Sequence, residues 1–338
     1  MRLGICVRRF GPTGGMERVA HSFVGWLSTQ GHAVDVWCND FSPAGEGIRH
    51  RPLGASGRGV AWKAASLARA VSAVPVDDYD GFLHFERGGA DAVYRAGAGC
   101  HAAFRAKNGG GLIGAWLQSV DKRTCEDARR VVVNSQMVFN ELQQFYGIDD
   151  AKLRLIRNGV DLTRFKPGQR SPDPEVVFVG SDARRKGLKT AIRAIAGLPR
   201  VRLSVVGSVT SAAKSWARAE GVTERVDFLG ELSRPEEVVS RAHAMILPTR
   251  YDPSANAVLE AMACGVPVIT TRANGAAELL PEPWMIVDDS MDVDHCAEVL
   301  ACAMGDESLR SACRAVAEGH GMETSFEALF HVMTEDPC

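Results

Sequence analysis

Five short apolar runs recur through the second half of the chain, at Val176 to Gly180, Arg202 to Gly207, Val226 to Gly230, Ala244 to Pro248 and Val266 to Thr270. Each is separated from the next by a stretch with helical patterning. Short continuous apolar runs of this kind read as strands buried on both faces. Strands that alternate with helices pair in parallel, because a chain that crosses over a helix returns in the same direction. The second half is therefore expected to be a doubly wound α/β domain with its ligand at the carboxyl ends of the strands.

The first half repeats the architecture without repeating the sequence. Leu3 to Val7 and Ala33 to Trp37 read as strands, and Val19, Phe23 and Leu27 line one face of a helix between them. Gly11-Pro12-Thr13-Gly14-Gly15 forms a turn between the first strand and that helix, where backbone can approach a ligand closely and helix amides point at it. The turn is not G-x-G-x-x-G, which argues against a nicotinamide cofactor. Val131 to Ser135 and Arg154 to Asp161 read as the closing strands, and the polar stretch Gly168 to Pro174 as a linker. A chain of 338 residues exceeds what one core usually supports. Two domains are expected, residues 1–165 and 166–320, followed by a terminal segment 321–338 with a helix around Ser325 to Met333.

The most specific chemistry lies between the last two runs. Ser254 is the expected N-cap and Gly265 the expected stop of a helix over about 255–264. Its first turn, Ala255-Asn256-Ala257-Val258, carries no carboxylate, so its amides and the positive end of its dipole are open to an external anion. Side chains lean toward the helix N-terminus, so Glu260 reaches the same region and suits ribose hydroxyls. Asp252, just outside the helix, can approach a sugar beyond a diphosphate.

This stretch resembles the E-x7-E region of retaining glycosyltransferases of the GT-B fold, family 4, with Asp252 in place of the first Glu. Upstream, Gly180-Ser181-Asp182-Ala183-Arg184-Arg185-Lys186-Gly187 resembles a loop of the bacterial lipopolysaccharide core α-glucosyltransferases. The resemblance implies two Rossmann-like domains facing across a cleft, and a donor diphosphate held by Arg185 and Lys186. It implies that Gly14 and Gly15 face donor phosphates and acceptor, that Gly180 and Leu232 border the donor site, and that the terminal helix returns to the first domain. No metal is implied, because the two cations compensate the leaving group's charge. In one respect the chain departs from the pattern. Aligned through Tyr94, similar proteins carry an aspartate near the reaction centre where this chain has Ala98. Asp91 or His101 is the expected substitute.

Other signals set limits. No apolar run approaches a membrane span, and the opening Met1 to Ile5 enters a strand rather than a signal peptide. Nine cysteines at 6, 38, 100, 125, 264, 296, 302, 313 and 338 form no C-x-x-C pair and read as reduced thiols. A cytoplasmic protein is expected, with peripheral contact at the inner membrane as an option. Residues 1–165 carry a net charge of +5 and the remainder −7, so an anionic acceptor would meet the first half. Trp62, Leu67, Val71 and Val74 make a stripe that fits either a core-facing helix or one lying on a membrane. The D-x-D sequences at Asp78/Asp80 and Asp292/Asp294 are too short to carry a metal assignment, and no basic stripe with interleaved aromatics suggests nucleic acid. The expected activity is retaining, metal-independent transfer of a hexose, UDP-glucose being the expected donor, to a glycan or glycolipid such as lipopolysaccharide core. The alternatives are a UDP-sugar epimerase of the same fold, or a UDP-sugar-binding protein impaired at Ala98.

Overall fold

The structure, a computed structural model, describes residues 1–335; Cys338 lies outside them. Two compact units divide the chain, Met1–Arg157 with Glu323–Cys338, and Asn158–Met322.

In the first unit, strands β1 (Arg2–Cys6), β2 (Ala33–Cys38), β3 (Ile48–Pro52), β4 (Gly81–His84), β5 (Val93–Arg95), β6 (Arg130–Val133) and β7 (Leu153–Leu155) form one sheet. Their spatial order is β3-β2-β1-β4-β5-β6-β7, and every pairing is parallel. In the second unit, β8 (Glu175–Val179), β9 (Arg202–Val206), β10 (Val226–Gly230), β11 (Ala244–Leu247), β12 (Val268–Thr271) and β13 (Ile286–Val287) are ordered β10-β9-β8-β11-β12-β13, again all parallel. The five apolar runs of the second half thus become β8 to β12. Val176, Val177 and Phe178 of β8 and all four residues of β11 are buried, as a sheet covered on both faces requires.

The division falls at Arg157 and not at 165. Val160 bridges Gly321, its amide donates to the His320 carbonyl, and Val160 and Phe165 sit in the second core. Packing and pairing, which a polar linker composition does not report, decide where the boundary lies. The Met322–Thr334 helix runs from the junction into the first unit, where Phe326 lies 5.4 Å from Phe23 and the Ser325 hydroxyl donates to the Arg157 carbonyl.

The Trp62 stripe resolves in part. Val71 and Val74 are buried in the first unit's core and Leu67 packs against it, whereas Trp62 is 74% exposed. Helix Val60–Ser72 is a core-facing helix whose first turn carries an outward tryptophan. Both D-x-D sequences have structural work: Asp80 accepts the Arg2 amide at 2.7 Å, and Asp292 caps helix Val293–Gly305 through the His295 amide.

Candidate functional site

The strand order of the second unit reverses between β8 and β11, which pair directly. Connections leaving these two strands at their carboxyl ends depart to opposite sides and leave a crevice, the usual ligand position in an open α/β sheet. The loop after β8 brings Arg185 and Lys186 to this place, and the loop after β11 brings Asp252. Lys186 Nζ lies 2.6 Å and Arg185 Nη1 2.9 Å from the same oxygen, Asp252 Oδ2. Arg185 Nη1 also donates to the Tyr251 carbonyl at 2.9 Å, and its Nε lies 3.3 Å from Asp182 Oδ2.

Local sequence explains why these loops meet. Gly187 has φ +82°, and a Cβ there would stand 2.0 Å from the Pro248 carbonyl oxygen. Only glycine permits both the left-handed backbone and this approach. Two residues before it, the Arg185 carbonyl accepts the Arg250 amide (2.8 Å) and the Thr249 hydroxyl (3.0 Å). Asp252 is tied on its other side: its amide donates to the Ala273 carbonyl and its carbonyl accepts the Gly275 amide. The Lys186 stem passes over Gly180, where a Cβ would come within 3.1 Å of it.

Asp252 is 6% exposed. Burial alone would raise its carboxyl, but the Lys186 and Arg185 cations reverse this and hold it below the usual carboxylate range. Two cations converge on one buried carboxylate where β8 and β11 end, and Asp182 pairs with Arg185 from the exposed side. Such an arrangement is suited to a phosphate group.

Helix Asn256–Ala263 begins beside this cluster. The expected Ser254 cap is corrected: Ala255 occupies the cap position and no side-chain cap bond is made. The end is supported from outside the helix. Asn274 Oδ1 accepts the Ala255 and Ala276 amides, each at 3.2 Å, while its Nδ2 donates to the Thr270 hydroxyl at 3.0 Å. Asn158 Nδ2 donates to the Ser254 carbonyl (3.2 Å) and to Asn256 Oδ1 (2.6 Å). Ala257 and Val258 are buried in the first turn, which carries no acid, and Glu260 is buried one turn further in. Asn158 and Asn274 were not anticipated as site residues; their only signals were the Asn-Gly turns at 158–159 and 274–275. Leu232 follows β10 and is partly exposed.

The remaining expected residues belong to the first unit. Gly14 is the N-cap of helix Gly15–Thr29, with φ +90°. His101 opens helix His101–Asn108, and its amide donates to Asp121 Oδ2 at 2.9 Å. Its Nε2 is buried without a hydrogen-bond partner, and burial, with the Arg87 cation nearby, keeps the ring below its ordinary pKa. Asp91 is corrected. It stands exposed at the amino end of β5 with φ +55°, its amide bonded to the Asp127 carbonyl, whereas Ala98 follows the carboxyl end. The strand runs between them, so Asp91 does not share an edge with Ala98. Asp121, which no sequence pattern marks, is fully buried and collects Arg87 Nε (2.5 Å), the Tyr146 hydroxyl (2.8 Å) and the His101 amide.

The two doubly wound parallel sheets and the charged crevice at the ends of β8 and β11 define an α/β fold with a polar ligand edge, and comparison with known proteins gives its class. Residues 13–164 match Glycosyltransferase Family 4, and residues 160–320 match Glycosyl transferases group 1. The chain belongs to the family 4 glycosyltransferases and has the GT-B fold. It is 31% identical over 174 residues to D-inositol 3-phosphate glycosyltransferase of Mycobacterium sp. (strain KMS), covering 46% of this chain and 40% of that one. It is 29% identical over 195 residues to glycogen synthase of Mycobacterium tuberculosis (strain ATCC 25618 / H37Rv), covering 53% and 46%. The matched region is thus less than half of either relative. Among solved structures, the lipopolysaccharide-biosynthesis glycosyltransferase WaaG superposes with TM-score 0.85 at 19% identity, over 99% of this chain and 100% of that one. Anabaena HepE in complex with UDP-glucose does so with TM-score 0.77 at 17% identity, over 99% of each.

Proposed function

We propose that this glycosyltransferase moves a hexose with retention of configuration from UDP-glucose, or a similar nucleotide sugar, to a glycan or glycolipid such as lipopolysaccharide core. The carrying observation is the Arg185–Lys186–Asp252 cluster at the β8/β11 crevice, next to a helix start free of carboxylates. In this reading the two cations and the amides at Asn256 and Ala257 stabilise the departing diphosphate as its charge develops. Glu260 takes ribose hydroxyls and Asp252 orients the sugar while holding the cations in register. Gly180, Ser254, Ala255, Val258 and Leu232 line the donor by backbone or apolar contact. The leaving group's charge is met without a metal.

A cytoplasmic protein that touches the membrane fits a glycolipid acceptor. No helix among the described residues is long and apolar enough to cross a membrane. On helix Gly111–Asp127 of the first unit, Leu112 is 91% exposed and Ile113 and Trp116 project beside it, following Arg105 and Lys107 of the preceding helix. Exposed aliphatic and indole groups next to cations suit an anionic lipid surface.

The test is incubation with UDP-glucose, with and without a core oligosaccharide, and NMR of the products. An α-linked glucoside formed only with acceptor supports the proposal. A β-linkage overturns retention. An isomerised sugar formed without acceptor identifies an epimerase, and UDP binding without turnover identifies a binding protein.

A further inference from the structure

The amino-terminal edge of the second sheet, opposite the Arg185–Lys186–Asp252 cluster, carries a cavity of its own. Glu175 opens β8, Arg202 opens β9 and Asp227 lies next to the start of β10, and parallel pairing sets Glu175 beside Arg202. With Arg170, Asp173 and Arg241 these residues line a cavity of about 500 Å³, within the size of small-molecule sites. Glu175 is its most buried charge, 6% exposed. A carboxylate at that depth must be paired or hydrogen-bonded. Here the pairing is one-sided: Oε1 accepts the Ser204 hydroxyl at 2.6 Å and Arg241 Nη2 and Nε at 3.2 and 3.3 Å. Oε2 takes no hydrogen bond among the described residues and is not sealed from solvent, so it is presented to the cavity.

The rim is made of matched charges. Arg202 Nη2 lies 2.8 Å from Asp227 Oδ2, Arg241 pairs with Glu175, and Arg170 pairs with Glu307. The three guanidiniums and three carboxylates of the lining cancel, so its net charge favours neither an anion nor a cation. Side by side they offer N–H donors and oxygen acceptors. A sugar hydroxyl is donor and acceptor at once, so a polyol can bond to both members of such a pair. Apart from Pro172 the lining is polar or charged among the described residues, which leaves no wall for an apolar ligand. We propose that this cavity binds a neutral saccharide, one hydroxyl of which donates to Glu175 Oε2 while Arg202 and Arg241 donate to its oxygens. The site is separate from the donor crevice: it lies at the amino ends of β8 and β9, whereas Arg185 and Lys186 follow the carboxyl end of β8. Where the acceptor is a glycan, as proposed above, its role is to hold that glycan on the enzyme between turnovers and raise its effective concentration, with no part in bond making.

The experiment is saturation-transfer NMR of maltotriose, lactose and mannobiose on the full chain, with and without saturating UDP, for wild type, Glu175→Gln and Asp173→Trp. UDP affinity and melting temperature are measured on the same samples. Wild type is expected to bind at least one of the three saccharides, and UDP to leave that affinity unchanged. Glu175→Gln replaces the charged acceptor and should weaken saccharide binding at least about tenfold, the scale of losing a hydrogen bond to a charged group. Asp173 is exposed at the rim, so Asp173→Trp covers the mouth without entering the core. It should abolish saccharide binding while UDP affinity and melting temperature stay as in wild type. A wild type that binds none of the three overturns the proposal, as does binding that UDP displaces or that survives undiminished in either folded variant. Inorganic phosphate and spermidine are titrated in parallel, and binding of either one that Asp173→Trp removes overturns the assignment to a neutral ligand. A wild type that binds a saccharide but no UDP overturns the donor reading and leaves this site standing.

Discussion

The two units present the same crevice, one between β8 and β11 and one between β1 and β4, and furnish it differently. At β8/β11 the loops are locked: Gly187 lies against the Pro248 carbonyl, Arg185 receives two bonds from the opposite loop, and three charged side chains meet at one carboxylate oxygen. At β1/β4 the Arg8 amide donates to the Glu86 carboxylate and the Phe85 amide to the Cys6 carbonyl, and the turn beyond is rich in glycine. In the proposed reading the β8/β11 crevice holds a nucleoside diphosphate group, whose constant shape allows a prebuilt, rigid site.

The largest effect should come from the locked crevice. Lys186→Ala should lower turnover about 100- to 1,000-fold in steady-state assays, the scale of losing one charge-stabilising donor, while the melting temperature changes little. Turnover within tenfold of wild type would break the contrast between the units. Next, Gly187→Ala forces a Cβ onto the Pro248 carbonyl with φ at +82°, and should cost more than about 2 kcal/mol in denaturant unfolding. Asn274→Ala removes the support of the Asn256–Ala263 helix and should cost about 1 kcal/mol with weaker UDP binding.

The Asp252 effect has a defined sign. A carboxyl held below its unfolded value stabilises fully above the unfolded pKa, and that stability is lost as pH falls through the lower folded pKa. Asp252→Asn should therefore flatten the acid limb of melting temperature against pH. The smallest effect is expected at Trp62, where Trp62→Ser should change stability by less than about 0.5 kcal/mol because the ring is already in water.

How much was legible beforehand follows from how local each signal is. The Arg185-Lys186-Gly187 loop and the 251–265 segment carried their chemistry in contiguous residues, and the structure brings their charged groups together. The helix cap is not legible locally because the support comes from Asn274, on a later loop, and not from the residue beside the helix. Asp91 and Ala98 are close in sequence, but strand β5 runs between them and sets them at its opposite ends.

In the second half the alternation of apolar runs and helical stretches was enough to determine a parallel doubly wound sheet, since burial on both faces and crossover helices leave few other arrangements, whereas in the first half Ile48–Pro52, Gly81–His84 and Val93–Arg95 carried no such signal. Strand order was a tertiary decision. It made neighbours of β1 and β4, which lie far apart along the chain, and so put Glu86 beside Arg8 at the carboxyl ends of the two strands. It also made Asp252 the shared partner of two cations more than sixty residues upstream. Such meetings depend on sheet pairing and exclusion of water, which act between distant segments and leave no trace in the local residue pattern.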